Sequence, residues 1–316
     1  MLGKLIYPQY PTTALGLEKD SAAVVQLQRA GRGQFSLRRA ATVELTKGVL
    51  NPSFDEPNIT NPQELISTLK ELAVNANLAR QKKWSVTLPE AATRSVVMTL
   101  ETEPATSKEL EDVLQWKAER AFGANYSDLR VSRELLSKDS NGKPRYLAVG
   151  IRLNVLAEYE SIFEGLGWRA GLVMPRHEGE ARWLELLTRR TQSGDSLLIC
   201  SHKSGFTAVL VSKSQPAVVR SMICEPEERD DELYRFLLFY RDRVLERENP
   251  SRSLESFLLV GNGFSKDKVR EIVRDTLNTS TKSLSADEVG LVNLISSNIP
   301  FDEIAAPAGI ATFAWS

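Results

Sequence analysis

The chain has 316 residues and a formal net charge of −1 with a pI near 6.3, which leaves room for two domains and excludes the general basic character of a nucleic-acid-binding protein. Hydrophobic residues at 42% and charged residues at 26% describe an ordinary folded chain. Two cysteines, Cys200 and Cys224, exclude a disulfide framework and suit a cytoplasmic protein with buried thiols.

In chain order, residues 13–27 and 34–46 predict a strand pair, with Val24, Val25, Leu27, Phe35, Leu37, Val43 and Leu45 supplying the apolar positions. Three prolines and three asparagines make 51–62 a loop, and Pro62 opens a helix whose stripe is Leu65, Ile66, Leu69, Leu72 and Ala73. Strands are predicted at 84–88 and 95–100, then a helix from Thr106, a capping-box residue, to about Phe122. Its stripe is Leu110, Val113, Leu114, Ala118 and Ala121, and Trp116 lies off it. Strands at 129–136 and 145–152 flank an Asp139–Gly142 turn; a helix over 154–164 stops at Gly165 and Gly167; a strand over 168–174 and a helix over 177–190 follow.

The second half predicts a meander at 196–201, 205–212 and 216–223, an amphipathic helix from Asp230 to Glu248, a buried strand at 254–260 and a helix at 265–277. Arg241, Arg243 and Arg247 read as a solvated helix face, and Arg176-His177-Glu178 as the cap of the helix that follows. The tail predicts a short helix interrupted by Pro307. Mixed strands and helices in two comparable halves argue for an α/β class.

No signal sequence or membrane-spanning run is visible. The small apolar residues 305–316 lack the basic face of a membrane-surface helix. A cytoplasmic protein that meets a membrane only through partners is expected. Gly-x-Ser-x-Gly, Walker lysine and HExxH patterns are absent.

Two stretches share the pattern strand, polar turn, strand, and each opens one half. They are Thr13-Ala-Leu-Gly-Leu-Glu-Lys-Asp-Ser-Ala-Ala-Val-Val-Gln-Leu27 and Ser196-Leu-Leu-Ile-Cys-Ser-His-Lys-Ser-Gly-Phe-Thr-Ala-Val-Leu-Val211. Lys108-Glu-Leu-Glu-Asp-Val-Leu-Gln-Trp-Lys-Ala-Glu119, Ser214-Gln-Pro-Ala-Val-Val-Arg220 and Val260-Gly-Asn-Gly-Phe264 stand in order around the second. In order and spacing, over nearly the whole length, the chain resembles the PilM-type actin-like proteins of type IV pilus assembly, and the related GspL cytoplasmic domain of type II secretion. The resemblance implies an actin-like (ASKHA, ribonuclease H-like) two-domain fold. Residues 1–193 would form the first domain, with a small α+β subdomain inserted at about 85–168, and 194–316 the second.

The family opens with a pattern like Gly-Ile-Asp-Ile-Gly-Ser-Ser-Ser-Val-Lys. Its acidic position falls on Gly16 and its tight-turn glycine on Glu18; in the second hairpin the corresponding positions fall on Cys200 and His202. A Mg²⁺-bound triphosphate needs carboxylates near the metal and backbone N–H groups around the phosphates. All four changes together predict a protein without hydrolysis, catalytic residues or metal, and argue against a cofactor. Lys19, Ser21, Gly261 and Gly263 are the positions where ATP would still be met, although Gly261 and Gly263 read more simply as a turn.

The resemblance implies a non-catalytic scaffold that binds the cytoplasmic tail of a PilN-like inner-membrane protein, with a pilus motor ATPase as a further partner and no nucleic acid. Such a tail would dock as an extended peptide. Trp116 is the first candidate contact, against packing within the protein, and Val96, Met98 and Leu100 are candidate pocket residues. The alternative is a nucleotide-binding or phosphotransferase enzyme of the actin and sugar-kinase superfold, which would need the acids that Gly16 and Cys200 replace. An FtsA-like division protein would need a basic amphipathic tail.

Overall fold

The computed structural model describes residues 9–191, 194–242, 253–294 and 298–316. In chain order these form β1 Thr13–Leu17, β2 Ser21–Gly31, β3 Gln34–Glu44, α1 Pro62–Asn75, β4 Lys83–Leu88, β5 Arg94–Thr99, α2 Ser107–Phe122, β6 Leu129–Leu136, β7 Arg145–Arg152, α3 Leu153–Leu166, β8 Arg169–Pro175 and α4 Arg176–Thr191. The chain continues through β9 Asp195–His202, β10 Gly205–Ser212, β11 Gln215–Ile223, α5 Arg229–Tyr240, β12 Leu254–Val260, α6 Lys266–Leu277, β13 Lys282–Ser283, α7 Ala286–Val289 and α8 Phe301–Ala311. The elements expected from periodicity are present with shifted ends. The last turns of the helix expected to Glu248, with Arg243 and Arg247, lie outside the described residues.

Helix ends follow local chemistry. Asn61 accepts from the Glu64 N–H ahead of Pro62 at the first position of α1. Thr106 accepts from the Glu109 N–H at 3.1 Å to start α2, and Gly123 ends it in the left-handed region.

The contacts divide the chain into two units. The first comprises Met1–Arg94, Ile151–Arg182 and Gly290–Ser316; the second comprises Ser95–Gly150 and Trp183–Val289. This division differs from the expected boundaries in two ways. The insertion leaves the first sheet after Arg94 and returns at Ile151, narrower than 85–168, because β4, α3 and β8 belong to the first unit. The tail from Gly290, expected with the second domain, belongs to the first unit, where α8 lies on β1, β2 and β4.

The first unit is built on a sheet of order β3-β2-β1-β4-β8. β1 to β3 form an antiparallel meander, β1 runs parallel to β4, and β4 parallel to β8. Leu15, Leu17, Val24 and Val86 bury one face under Leu65, Leu69 and Leu72 of α1 and Val155, Tyr159 and Ile162 of α3. Trp84 and Trp168 close one end of that core with ring centroids 4.6 Å apart. The second unit repeats the plan in the order β11-β10-β9-β12-β13. Phe206, Leu210 and Phe257 there pack with Leu233, Phe236 and Leu237 of α5 and Val269 and Val273 of α6. It also holds most of a small sheet of order β5-β7-β6, where Phe122 from the end of α2 sits against Gly150.

α8 is continuous through Pro307, contrary to the expected interruption. The cost of a mid-helix proline is offset by close packing: the ring seats against Gly16, and the carbonyl of the preceding Ala306 approaches Gly179 of α4 so closely that a β-carbon there would collide with it. Gly179→Ala is therefore expected to destabilise the protein by about 1–3 kcal/mol, read as a lower urea midpoint with an unchanged slope.

Candidate functional site

The first hairpin places its turn at the carboxyl end of β1, where an actin-like fold would receive phosphate. The Glu18 N–H donates to the Ser21 carbonyl at 2.9 Å, so a backbone hydrogen bond closes the turn. Gly16, on the expected acidic position, has no space for a side chain: a β-carbon would stand 2.9 Å from Pro307 Cδ and 3.2 Å from Thr87 Oγ1. Glu18, Ser21, Thr87, Arg176, Asp302 and Glu303 are among the residues around a cavity of about 110 Å³. Lys19 points to solvent and Ser21 is half-buried at this cavity.

Behind the turn is a buried charge cluster. Glu18 pairs with Arg176 Nη1 at 3.1 Å, and Arg176 Nε donates to Glu180 Oε1 at 2.6 Å. Next to it on α4, His177 sets Nδ1 2.7 Å from Glu90 Oε2 and Nε2 3.3 Å from Glu178 Oε1. Four carboxylates thus share two cationic side chains. Burial pushes the Glu18 carboxyl up to about 7; Arg176 pulls it down, while Glu180 and Glu90 add to the rise. Burial alone would lower the His177 pKa, but Glu90 and Glu178 outweigh it and raise it to about 10. The raised His177 pKa favours an imidazolium whose Nδ1 donates to Glu90, while Nε2 lies near Glu178 without forming a hydrogen bond. Arg176-His177-Glu178 does more than cap a helix, the role expected from sequence: its partners Glu18 and Glu90 lie far away in the chain.

In the second unit, Cys200 on the second acidic position is buried in β9 between Thr207 of β10 and Val260 of β12. Arg229 Nη2 donates to the His202 carbonyl at 3.0 Å. Gly261 has φ +86 and approaches the Ser201 carbonyl, and a β-carbon on Gly263 would collide with Ser201 Oγ and the Arg229 guanidinium. Both glycines are thus required by the packing of this loop against the end of β9.

The candidate peptide contacts separate. Trp116 is 53% exposed on α2, with the Arg120 guanidinium 5.1 Å from its ring centre. Val96 is half-buried, whereas Met98 and Leu100 are 5% and 1% exposed and belong to the interior of the small subdomain rather than to a surface pocket. Sequence reading missed Glu90 and Glu180, and gave His177 only a capping role and Pro307 only that of a helix interruption. The one local signal was the density of charge just after a buried strand.

Both raised groups bind protons more tightly in the folded state. The Glu18 contribution is present below its ordinary pKa of 4.5 and is lost as pH rises through about 7. That of His177 is present below 6.5 and is lost as pH rises through about 10. Denaturant unfolding is expected to show stability falling from about pH 5 to pH 9, by about 1–3 kcal/mol for Glu18. Glu18→Gln should flatten the lower part of that profile; an unchanged slope would refute the assignment.

No protein-family model and no curated protein matches the chain. Among solved structures, a chain of a PilM-PilN type IV pilus biogenesis complex superposes with a TM-score of 0.77 at 17% identity, covering 98% of this chain and 100% of that one. A Bacteroides thetaiotaomicron protein with an actin-like ATPase fold and unknown function gives 0.48 at 11% identity, covering 94% and 95% of the two chains. The cytoplasmic domain of EpsL, an inner-membrane component of the Vibrio cholerae type II secretion system, gives 0.45 at 13%, covering 78% and 81%. Among the described residues no helix is long and apolar enough to cross a membrane. With two sheets of matching plan and this superposition, the chain has the actin-like α/β fold.

Proposed function

We propose that this protein is a PilM-type component of a type IV pilus or related secretion machine, a scaffold that binds the cytoplasmic tail of a PilN-like inner-membrane protein without hydrolysing nucleotide. The observation that carries the partner reading is the superposition on the PilM-PilN complex over the whole of both chains. Support for loss of hydrolysis comes from the turns. An aspartate at Gly16 would meet Pro307, Glu18 sets a carboxylate at the phosphate position, and Gly261 and Gly263 are filled from within by Ser201 and Arg229. A Mg²⁺-bound triphosphate does not fit these residues: the turn brings negative charge and packed side chains where backbone N–H groups are needed.

Trp116 is the exposed aromatic that an incoming peptide would cover, at the low entropy cost of a stiff side chain. Calorimetry with the N-terminal peptide of a PilN-like protein from the same genome is expected to show binding, and Trp116→Ala to weaken it by about tenfold or more. Calorimetry with ATP and Mg²⁺ into the millimolar range is expected to give no Mg²⁺-dependent heat. Tight Mg²⁺-dependent binding would instead favour the nucleotide-binding or phosphotransferase reading. Absence of peptide binding would remove the scaffold reading.

A further inference from the structure

The acidic cluster lies at the carboxyl ends of β1, β4 and β8. The opposite end of the same sheet is basic. The β2–β3 hairpin carries Arg29, Arg32, Arg38 and Arg39, all exposed. The register brings it to the amino ends of the parallel strands, since Arg39 lies opposite Gln26 and Gln26 opposite Thr13. Arg39 Nη1 donates to the Asn77 carbonyl at 2.7 Å, which joins the hairpin to the loop after α1. That loop adds the exposed Arg80, Lys82 and Lys83. Lys83 lies abreast of Arg169 across the parallel β4–β8 pair.

Segments 24–43, 72–89 and 165–175, which build this rim, contain no aspartate or glutamate; Glu71 and Glu164 stand just outside them. Among the described residues none of these basic side chains forms an ion pair. In a chain of net charge −1, concentrating positive charge in one place, with like charges set side by side at Lys83 and Arg169, disfavours folding. An anionic partner would relieve that repulsion.

We propose that this rim docks directly on an anionic phospholipid surface. It is formed by strand ends and turn tips, and long flexible cations on such tips suit a plane of headgroups. Val74, 57% exposed at the end of α1, adds an apolar side chain within the rim. Single-stranded nucleic acid would call for stacking aromatics, and among the described residues the exposed aromatics Trp116, Tyr234 and Phe239 belong to the other unit. The rim adds a direct lipid contact to the partner-mediated one and is independent of the PilN-like reading.

Cosedimentation of the full chain with vesicles tests it. Vesicles of phosphatidylcholine with phosphatidylglycerol should retain the protein at about 0.1 M salt and release it at about 0.5 M, and phosphatidylcholine alone should not retain it. Arg32→Glu, Arg38→Glu and Arg80→Glu combined should reduce retention by about tenfold or more. These side chains make no hydrogen bond in the structure, so the thermal melt should be unchanged. Lys266→Glu, Arg270→Glu and Arg274→Glu on α6 change net charge equally and should leave retention intact. Equal retention on neutral vesicles, or equal loss in the α6 variant, overturns the proposal. So does binding to a polyglutamate peptide or duplex DNA in preference to anionic vesicles. If the rim variant does not fold, the lipid and salt comparisons on the unaltered chain still decide.

Discussion

The seating of Pro307 against Gly16 organises the first unit. A proline in the middle of a helix and a glycine in the middle of a strand each weaken their own element. Placed together they let α8 lie close on β1, where a side chain on Gly16 would push the proline ring away. The same helix meets α4 at Gly179, so the hairpin turn, the start of α4 and α8 are fixed relative to one another. That fixed corner positions Glu18, Arg176 and the cavity between them.

Within the corner, charge replaces what a ligand would supply. Glu18 is held by Arg176, Arg176 by Glu180, and His177 by Glu90 and Glu178. Breaking a buried pair on one side strands the other charge, so such a network resists piecemeal change. The second unit reaches a comparable end by another route: Arg229 and Ser201 occupy the space beside Gly261 and Gly263. The actin-like plan is thus combined with turns packed by the protein's own side chains.

Much of the fold was legible because it rests on local patterns. The stripe of α1, the Thr106 cap of α2, the Asp139–Gly142 turn and the β9–β11 meander are all set by neighbours in sequence. That Gly16 and Cys200 stand where the family resemblance expects acids is likewise read from the sequence. What escaped depends on long-range contacts. Glu18 and Glu90 meet α4 only after the chain has made the insertion, and the helix through Pro307 persists because of a residue nearly three hundred positions earlier. Met98 and Leu100 were expected to line a pocket because they lie on the strand beside the Trp116 helix, and their position in the strand does not tell that they are buried. The basic rim is dispersed over three segments and disappears into a balanced total charge.

The position of α8 also orders the chain's synthesis. β1 and β2 leave the ribosome well before α8, and the face they offer to it stays uncovered until residues 301–311 have been made. The second unit is contained within Ser95–Val289 and holds its own core, so it is expected to fold first although its strands are made later. The first sheet would then wait, with apolar Val25 and Leu27 exposed, until α8 has been made. Proteolysis of stalled nascent chains would reveal that order, with protection of the second unit preceding protection of the β1–β2 hairpin.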